Sequence, residues 1–231
     1  MINIGTLYIV STPIGNLKDI TFRSVEILDN VSCVFAEDTR RSIKLFKTYN
    51  ISAPMLSYNE FNRDKRIESA LKKIIEGQDI ALITDAGTPS ISDPGYRLVR
   101  RCISLDVNVV AVPGASAVLT SLVASGLPPD RFIFEGFLPK KKGRSAKLES
   151  LSKEARTIIF FESPLRLQRT LKDLNVTLGN RPVAICRELT KLHEEIWRGS
   201  LVEAEKVFSD RKIKGEITLV IGKDSKNVFF D

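Results

Sequence analysis

Residues 80–95, with the sequence IALITDAGTPSISDPG, constrain the fold of this chain more than any other stretch. The run from Ile80 to Ile83 is apolar throughout, which suits a strand buried on both faces of a parallel sheet. At the other end, Asp93 is an N-cap residue type and Pro94 suits the first position of a predicted helix. Ligands bind at the carboxyl ends of strands in open parallel sheets, so the small, polar loop between them is interpreted as a ligand cradle. An ordinary strand-to-helix turn is the alternative interpretation.

The same succession of strand, loop and helix recurs along the chain. In the N-terminal half, strands alternating with helices are predicted at residues 7–10, 32–36, 80–83 and 107–112. A helix stop and two prolines within residues 125–130 mark a domain boundary, beyond which the pattern is less regular. The chain is therefore predicted to be α/β with two domains, residues 1–125 and 126–231. We expect a mostly parallel sheet in the first domain and a mixed sheet in the second.

The amino-acid composition indicates the cellular compartment of this chain and the class of partner that it binds. The 231 residues are 43% hydrophobic and include 35 Lys+Arg against 28 Asp+Glu, a net charge of +7. This excess favours an anionic partner such as nucleic acid, a phosphate-rich ligand or a polycarboxylate, although it also serves plain solubility. Cys33, Cys102 and Cys186 lie in apolar runs, as buried thiols in a reducing compartment do. The start of the chain lacks a signal-peptide pattern and no apolar run reaches membrane-spanning length, so a cytoplasmic protein is expected.

Several common chemistries lack their sequence signatures. The chain has neither a phosphate-binding loop ending in Gly-Lys-Ser/Thr nor the Gly-x-Gly-x-x-Gly fingerprint, and no metal-ligand spacing, so no metal is expected. His193 is the only histidine, which excludes a mechanism with two imidazoles. Carboxylates at predicted strand ends remain, and they are interpreted either as ligand contacts or as turn caps and surface ion pairs. A basic loop at residues 140–144 suits phosphate contacts or a solvated surface.

Six segments together resemble a known family. They are residues 7–20, 36–40, 82–95, 112–117, 134–139 and 160–166. In this order they resemble the tetrapyrrole methylase superfamily of S-adenosylmethionine-dependent methyltransferases, and in particular its ribosomal RNA branch. The string from Asp85 to Gly95 is the most specific part of the match, which extends across nearly the whole chain.

The resemblance implies two α/β domains, S-adenosylmethionine bound in a folded shape in the cleft between them, and a homodimer. For the ribosomal branch it implies methyl transfer to the ribose 2′-oxygen of a cytidine in the decoding region of 16S rRNA, with the assembled small subunit as substrate. One alternative is methylation of a carbon of a precorrin-like macrocycle, and another is a non-catalytic RNA-binding module that kept the fold. A different RNA nucleotide also remains open.

The resemblance also implies roles for individual residues. Cofactor contacts are predicted at Pro13, Asp85, Ala86, Gly87, Ser90, Ser116, Ala117, Phe137, Leu138 and Ser163. A ribose hydroxyl needs a proton acceptor, and the candidates are Asp38, Glu37 and Glu162. Substrate phosphates are predicted to contact Arg40, Lys140, Lys141, Lys142 and Arg144. Longer members of the family carry a basic C-terminal segment beyond the position matching Asp231, so RNA affinity is expected to depend on the two domains and their dimer.

Overall fold

The computed structural model describes residues 4–223, 227, 228 and 230. The chain divides into two compact units, the first ending at Ser116 and the second beginning at Ala117. This division lies earlier in the chain than the boundary predicted after residue 125. The helix Ala117–Ser125 packs against strands of the second unit, which explains why the division lies before this helix.

The first unit is built on a five-stranded parallel sheet, as predicted. Its elements are β1 (Leu7–Val10), a 3-10 helix (Leu17–Asp19), α1 (Phe22–Asn30), β2 (Cys33–Ala36), α2 (Thr39–Tyr49), β3 (Met55–Ser57), α3 (Arg63–Ile75), β4 (Ile80–Ile83), α4 (Tyr96–Ile103) and β5 (Val109–Val112). The strand order is β3-β2-β4-β1-β5. Because all five strands run the same way, their carboxyl ends meet at one edge of the sheet, which is the edge predicted to bind ligand.

Both faces of this sheet are covered, which explains the continuous apolar runs. In β4, Ile80 and Leu82 enter one core with α3 and α4, whereas Ala81 and Ile83 enter a second core with α1 and α2. All four side chains are buried. A strand with helices on both sides gains burial from every residue, so a polar side chain is tolerated only where the strand ends.

The second unit carries a mixed five-stranded sheet, also as predicted. Its elements are α5 (Ala117–Ser125), β6 (Phe132–Phe137), α6 (Arg144–Leu151), β7 (Thr157–Glu162), α7 (Leu167–Leu178), β8 (Pro182–Arg187), β9 (Glu195–Ser200), α8 (Leu201–Phe208) and β10 (Ile217–Ile221). The order is β6-β7-β10-β8-β9, in which only β6 and β7 are parallel partners among the described residues. The short strand β3 and the charged strand β9 have too little hydrophobic pattern to be predicted.

The helix start predicted at Asp93 and Pro94 is wrong. Helix α4 begins at Tyr96, and Gly95 is its N-cap residue with φ 156°. Ser92 has φ 67°, so the chain is still turning where a helix was predicted to begin. The carboxylate of Asp93 therefore does not cap α4.

The three cysteines are buried and free, as predicted from their apolar surroundings. Burial raises the pKa of Cys102 to about 11 and that of Cys186 to about 12. Within the described part of the chain, no helix is both long and apolar enough to cross a membrane.

Candidate active site

The loops after β1 and β4 are joined at the carboxyl edge of the first sheet. The backbone N–H of Thr12 donates to the carbonyl of Gly87 at 2.9 Å, and the N–H of Gly87 donates to the carbonyl of Thr12 at 3.0 Å. The Thr12 hydroxyl also donates to the carbonyl of Thr84 at 3.0 Å. Gly87 has φ 83°, a conformation that glycine adopts without a Cβ penalty. These bonds hold the two loops in one shape.

The β4 loop contains features expected of a ligand site. Ser90 and Ser92 have φ 73° and 67°, which is strained for residues with a side chain and recurs at ligand sites. The Ser90 hydroxyl is buried and finds no hydrogen-bond partner among the described residues. A buried hydroxyl without a partner is costly, and a polar ligand group would satisfy it. Gly95 leaves it room, because a Cβ there would lie 2.4 Å from the Ser90 oxygen.

Two carboxylates connect the ends of β2 and β4. Glu37 accepts hydrogen bonds from the Thr84 hydroxyl at 2.6 Å and from the Asp85 N–H at 3.3 Å. Asp85 accepts from the Asp38 N–H at 3.1 Å and pairs with the Arg41 guanidinium at 2.9 Å. Burial raises the pKa of Asp85, and the neighbouring charge of Glu37 raises it further. The structure thus brings together Glu37, Asp38 and Asp85, which the sequence had placed at two strand ends.

Asp38 is engaged by its own helix. Its side chain is the N-cap of α2, accepting from the Arg40 N–H at 2.9 Å, and it also binds the Arg40 guanidinium at 3.0 and 2.7 Å. The Arg40 side chain, followed by its backbone N–H, lowers the pKa of Asp38 to about 2. A carboxylate with so low a pKa is a weak proton acceptor at neutral pH, which argues against Asp38 as the general base. Arg40 remains exposed and accessible to a phosphate.

An open cavity of about 480 Å³ lies beside these carboxylates in the first unit. It is lined by Glu37, Asn59, Glu60, Phe61, Ser92, Asp93 and Pro94. Phe61 is fully exposed at this place. Burial, followed by the charge of Glu37, raises the pKa of Asp93 to about 6. The sequence analysis missed both Phe61 and Asp93, and in the case of Asp93 the reason is that a residue before proline was interpreted as a helix cap.

Glu162, the third predicted base, is buried in the second unit. Its oxygens accept from the Ser163 N–H at 2.7 Å and the Thr170 hydroxyl at 2.5 Å, and they pair with Arg166 at 3.0 Å. Only 2% of the residue is exposed. These contacts anchor the turn between β7 and α7 and argue against Glu162 as general base, a role that stays a prediction.

The basic loop of the second unit separates into exposed and buried residues. Lys140, Lys141 and Lys142 are exposed, so their predicted phosphate contacts remain a prediction. Arg144 is buried, and its guanidinium binds Asp173 at 2.8 Å and the Thr170 hydroxyl at 2.9 Å. This pairing inside the unit argues against a role of Arg144 in substrate binding, which stays a prediction.

The residues predicted to contact the cofactor differ in exposure and in the groups that they have available to bind a ligand. In the second unit, Phe137 is about half exposed and Ser163 is half-buried, whereas the Leu138 side chain belongs to the core. The Leu138 carbonyl already accepts from Arg166 at 2.6 Å, so its backbone N–H is what it could offer a ligand. Half-buried residues are also found at Pro13, Asp85, Ala86, Ser90, Ser116 and Ala117, with Gly87 buried.

Comparison with known proteins identifies the family. Residues 6–205 match the model of the family described as Tetrapyrrole (Corrin/Porphyrin) Methylases. The chain belongs to this family. A relative from Thermotoga maritima named "Ribosomal RNA small subunit methyltransferase I" is 50% identical, with 95% of this chain and 100% of the relative covered. A Synechocystis relative of the same name is 49% identical, with 94% of this chain and 78% of the relative covered.

Solved structures of the family share the fold at low sequence identity. A cobalt precorrin-4 methyltransferase has a TM-score of 0.71 at 20% identity, with 94% of each chain covered. A uroporphyrin-III C-methyltransferase from Thermus thermophilus, complexed with S-adenosyl homocysteine, has a TM-score of 0.65 at 17% identity, with 94% of this chain and 97% of that chain covered. Among the described residues, no cluster of three or more His, Cys, Asp or Glu side chains could hold a metal ion.

Proposed function

We propose that this chain is an S-adenosylmethionine-dependent methyltransferase that modifies the ribose 2′-oxygen of a cytidine in the decoding region of 16S rRNA. The observation that carries the proposal is the 50% identity along the whole Thermotoga relative, whose name specifies small-subunit ribosomal RNA. The proposal includes the assembled small ribosomal subunit as substrate, a homodimer as the working form, and a cytoplasmic location. The macrocycle alternative is supported by the description of the family and by structural neighbours at 17–20% identity, and these neighbours share no more than the fold.

The β4 loop fits the polar groups of S-adenosylmethionine. Asp85 could accept from a ligand amine or hydroxyl, and the unsatisfied Ser90 hydroxyl could bind a further polar group. Further contacts are proposed from Pro13, Ala86, Gly87, Ser116 and Ala117, and from Phe137, Ser163 and the backbone of Leu138. When bound, S-adenosylmethionine supplies an electrophilic methyl group attached to a positively charged sulfur.

The protein itself must orient the acceptor hydroxyl and remove its proton. Holding the hydroxyl in line with the methyl group lowers the barrier through orientation alone, a contribution of up to about 7–11 kcal/mol in favourable cases. Exposed cations at Arg40, Lys140, Lys141 and Lys142 would bind phosphates and position the RNA without reading its sequence.

The proposal is tested by incubating the protein with methyl-labelled S-adenosylmethionine and small ribosomal subunits that lack the modification. The rRNA is then digested and its nucleosides are analysed. Label in 2′-O-methylcytidine is expected, and subunits that already carry the modification serve as the control that takes up none. Label in another nucleoside would contradict the acceptor. Absence of both label and S-adenosylmethionine binding would favour a non-catalytic RNA-binding module.

A further inference from the structure

We propose that the cavity beside the β4 loop receives the acceptor ribose and that Asp93 is the catalytic residue that accepts the hydroxyl proton. This inference rests on the proposed function and deepens it, because it assigns the general base that the sequence left open among three other carboxylates. The only individual role that the sequence suggested for Asp93 was that of a helix cap, and the structure contradicts this role.

The placement of Asp93 leaves its carboxylate available. It lines the cavity together with Glu37 and Ser92, at the end of the loop that begins with the proposed cofactor residue Asp85. Among the described residues, no ion pair involves Asp93, in contrast to Asp85 with Arg41. A carboxylate that faces a cavity without a cation can take a proton from a ligand, whereas a paired carboxylate must first give up its partner.

The two charged groups that raise the pKa of Asp93 are the carboxylates of Glu37 and Asp85, of which Asp85 is itself paired with Arg41. Glu37 approaches from the end of β2, Asp85 from the start of the β4 loop, and Glu60 lines the same cavity ahead of α3. The Thr84 hydroxyl is the polar neighbour that favours the ionised form of Asp93. Burial, followed by the charges of Glu37 and Asp85, raises the pKa of Asp93 to about 6, closer to the pH of the cytoplasm than the pKa of an ordinary aspartate. General bases work best when their pKa lies near the operating pH.

The other carboxylates are less suited to this step. Asp38 is bound on both oxygens by Arg40, and Glu162 is buried among Ser163, Arg166 and Thr170 in the second unit. Both have fixed hydrogen-bond partners where a base needs a free lone pair. Glu37 lines the cavity, but one of its oxygens accepts hydrogen bonds from both the Thr84 hydroxyl and the Asp85 N–H, which hold it against the end of β4.

Methyl transfer and proton transfer occur together in the proposed step. The hydroxyl oxygen forms a bond to the methyl carbon as the bond between that carbon and sulfur breaks, and the electron pair of the broken bond stays on sulfur. The O–H bond breaks at the same time, and its proton passes to a carboxylate oxygen of Asp93. The products are the 2′-O-methyl ether, a neutral thioether and a protonated Asp93, which then returns its proton to water.

Phe61 supports a nucleoside as the occupant of the cavity. Its ring is fully exposed at the cavity lining, where an apolar side chain gains nothing in the free protein. Proteins that bind single-stranded RNA stack splayed bases on such aromatic rings, while polar groups contact the sugar. In this arrangement the nucleobase would stack on the ring of Phe61 and the ribose would lie near the carboxylate of Asp93.

The first experiment compares wild type with Asp93→Asn and with Glu68→Gln as a control of equal charge loss. Glu68 is an exposed residue of α3 outside the cavity. We expect Asp93→Asn to lower kcat by about 100-fold or more, the usual contribution of a general base, and to leave the Kd for S-adenosylmethionine unchanged by calorimetry. The control should retain wild-type kcat. Thermal melting of each variant reports whether it is folded.

The second experiment follows pH. The ionised form of Asp93 is the active one, so the rate of the wild type should fall as pH falls through about 6. Glu37→Gln removes a negative neighbour, so the activity that this variant retains should show its acidic limb at lower pH. Carboxyl NMR of the free protein labelled with carbon-13 at aspartate should show a group titrating near this pH that is absent from Asp93→Asn.

The outcomes separate the two proposals. An active wild type combined with wild-type kcat and an unchanged acidic limb in Asp93→Asn overturns this inference alone. Loss of activity in Glu37→Gln, with Asp93→Asn still active, assigns the base to Glu37 and also overturns it. A wild type that transfers no methyl group to ribosomal subunits overturns the proposed function, and this inference with it.

Discussion

At the scale of single residues, two aspartates at the same edge of the sheet have opposite properties. Asp38 is held by Arg40, which lowers its pKa to about 2, whereas burial raises the pKa of Asp93 to about 6. The residue type is the same, and the difference comes from a cation in one case and from desolvation in the other. Its place at the end of a predicted strand made Asp38 a candidate base, whereas its bonds to Arg40 make it a poor one.

Replacing Asp38 by Asn is expected to lower kcat by less than about tenfold, below the range of a lost general base. The variant should instead melt at a lower temperature, because the ionised N-cap of α2 is lost. Asp38→Ser, which keeps a capping hydroxyl, should recover part of the melting temperature. A 100-fold loss of kcat in Asp38→Asn with intact S-adenosylmethionine binding would return Asp38 to the role of base.

The Asp38 contribution also has a definite pH dependence. Its folded pKa lies below the unfolded value of 3.8, so its stabilisation is fully present above that value. It is lost as pH falls from there through about 2. Thermal melting of wild type and Asp38→Asn should therefore converge in strong acid and differ at neutral pH.

At the scale of elements, the site depends on loops held in shape by backbone geometry. Gly87 exchanges two hydrogen bonds with Thr12 in a conformation with φ 83°, and a Cβ there would meet its nearest neighbour at 3.5 Å, an ordinary contact. The glycine is thus required by the backbone and not by space. The sequence shows only that residue 87 is a glycine in a loop. It does not show that Thr12 is the hydrogen-bond partner of this glycine.

Gly87→Ala is expected to destabilise the protein by about 1–2 kcal/mol, the cost of a left-handed residue with a side chain. Gly143→Ala is the matched control, because Gly143 has φ 81° and nothing within 4 Å of an added Cβ. Urea denaturation should show similar losses for both variants. Calorimetry should show weaker S-adenosylmethionine binding only for Gly87→Ala, and equal binding in both would remove this loop from the cofactor site.

At the scale of the whole molecule, the excess of 35 Lys+Arg over 28 Asp+Glu favours an RNA partner, yet not every cation serves it. Arg144 and Arg166 are tied to carboxylates in the second unit. Lys140, Lys141 and Lys142 are exposed and belong to no ion pair of the described residues. Charge counting on the sequence cannot make this distinction, because it depends on which side chains fold inward.

Changing these three lysines together to Gln should flatten the salt dependence of rRNA binding. If each contacts one phosphate, the slope of log K against log salt should become shallower by about 2, at roughly 0.7 per phosphate of a single strand. The same change at Lys153, Lys206 and Lys212, which are exposed residues of the same unit, is the control. Filter binding across a salt series measures both, and an equal slope in the two variants would contradict a role for the 140–142 loop.

The sequence by itself determined the α/β class, the parallel first sheet and mixed second sheet, and the family. These are properties of local hydrophobic runs and of long motifs such as residues 82–95, and neither needs distant partners to be recognised. Strand limits at Leu7–Val10 and Ile80–Ile83 match their predictions for this reason. By contrast, β3 and β9 were missed because their hydrophobic pattern is weak, although each pairs with the strand that precedes it in the chain.

Only the tertiary structure decided which polar residues of those motifs are available for chemistry. Asp93 lines a cavity and does not cap a helix, because Ser92 and Gly95 extend the turn. The oxygens of Glu162 are already bound by Arg166 and Thr170. Ionisation and hydrogen bonding depend on burial and on neighbours brought together by folding. A sequence motif identifies the residues at a site, whereas burial and neighbouring groups determine the ionisation and hydrogen bonding of each residue.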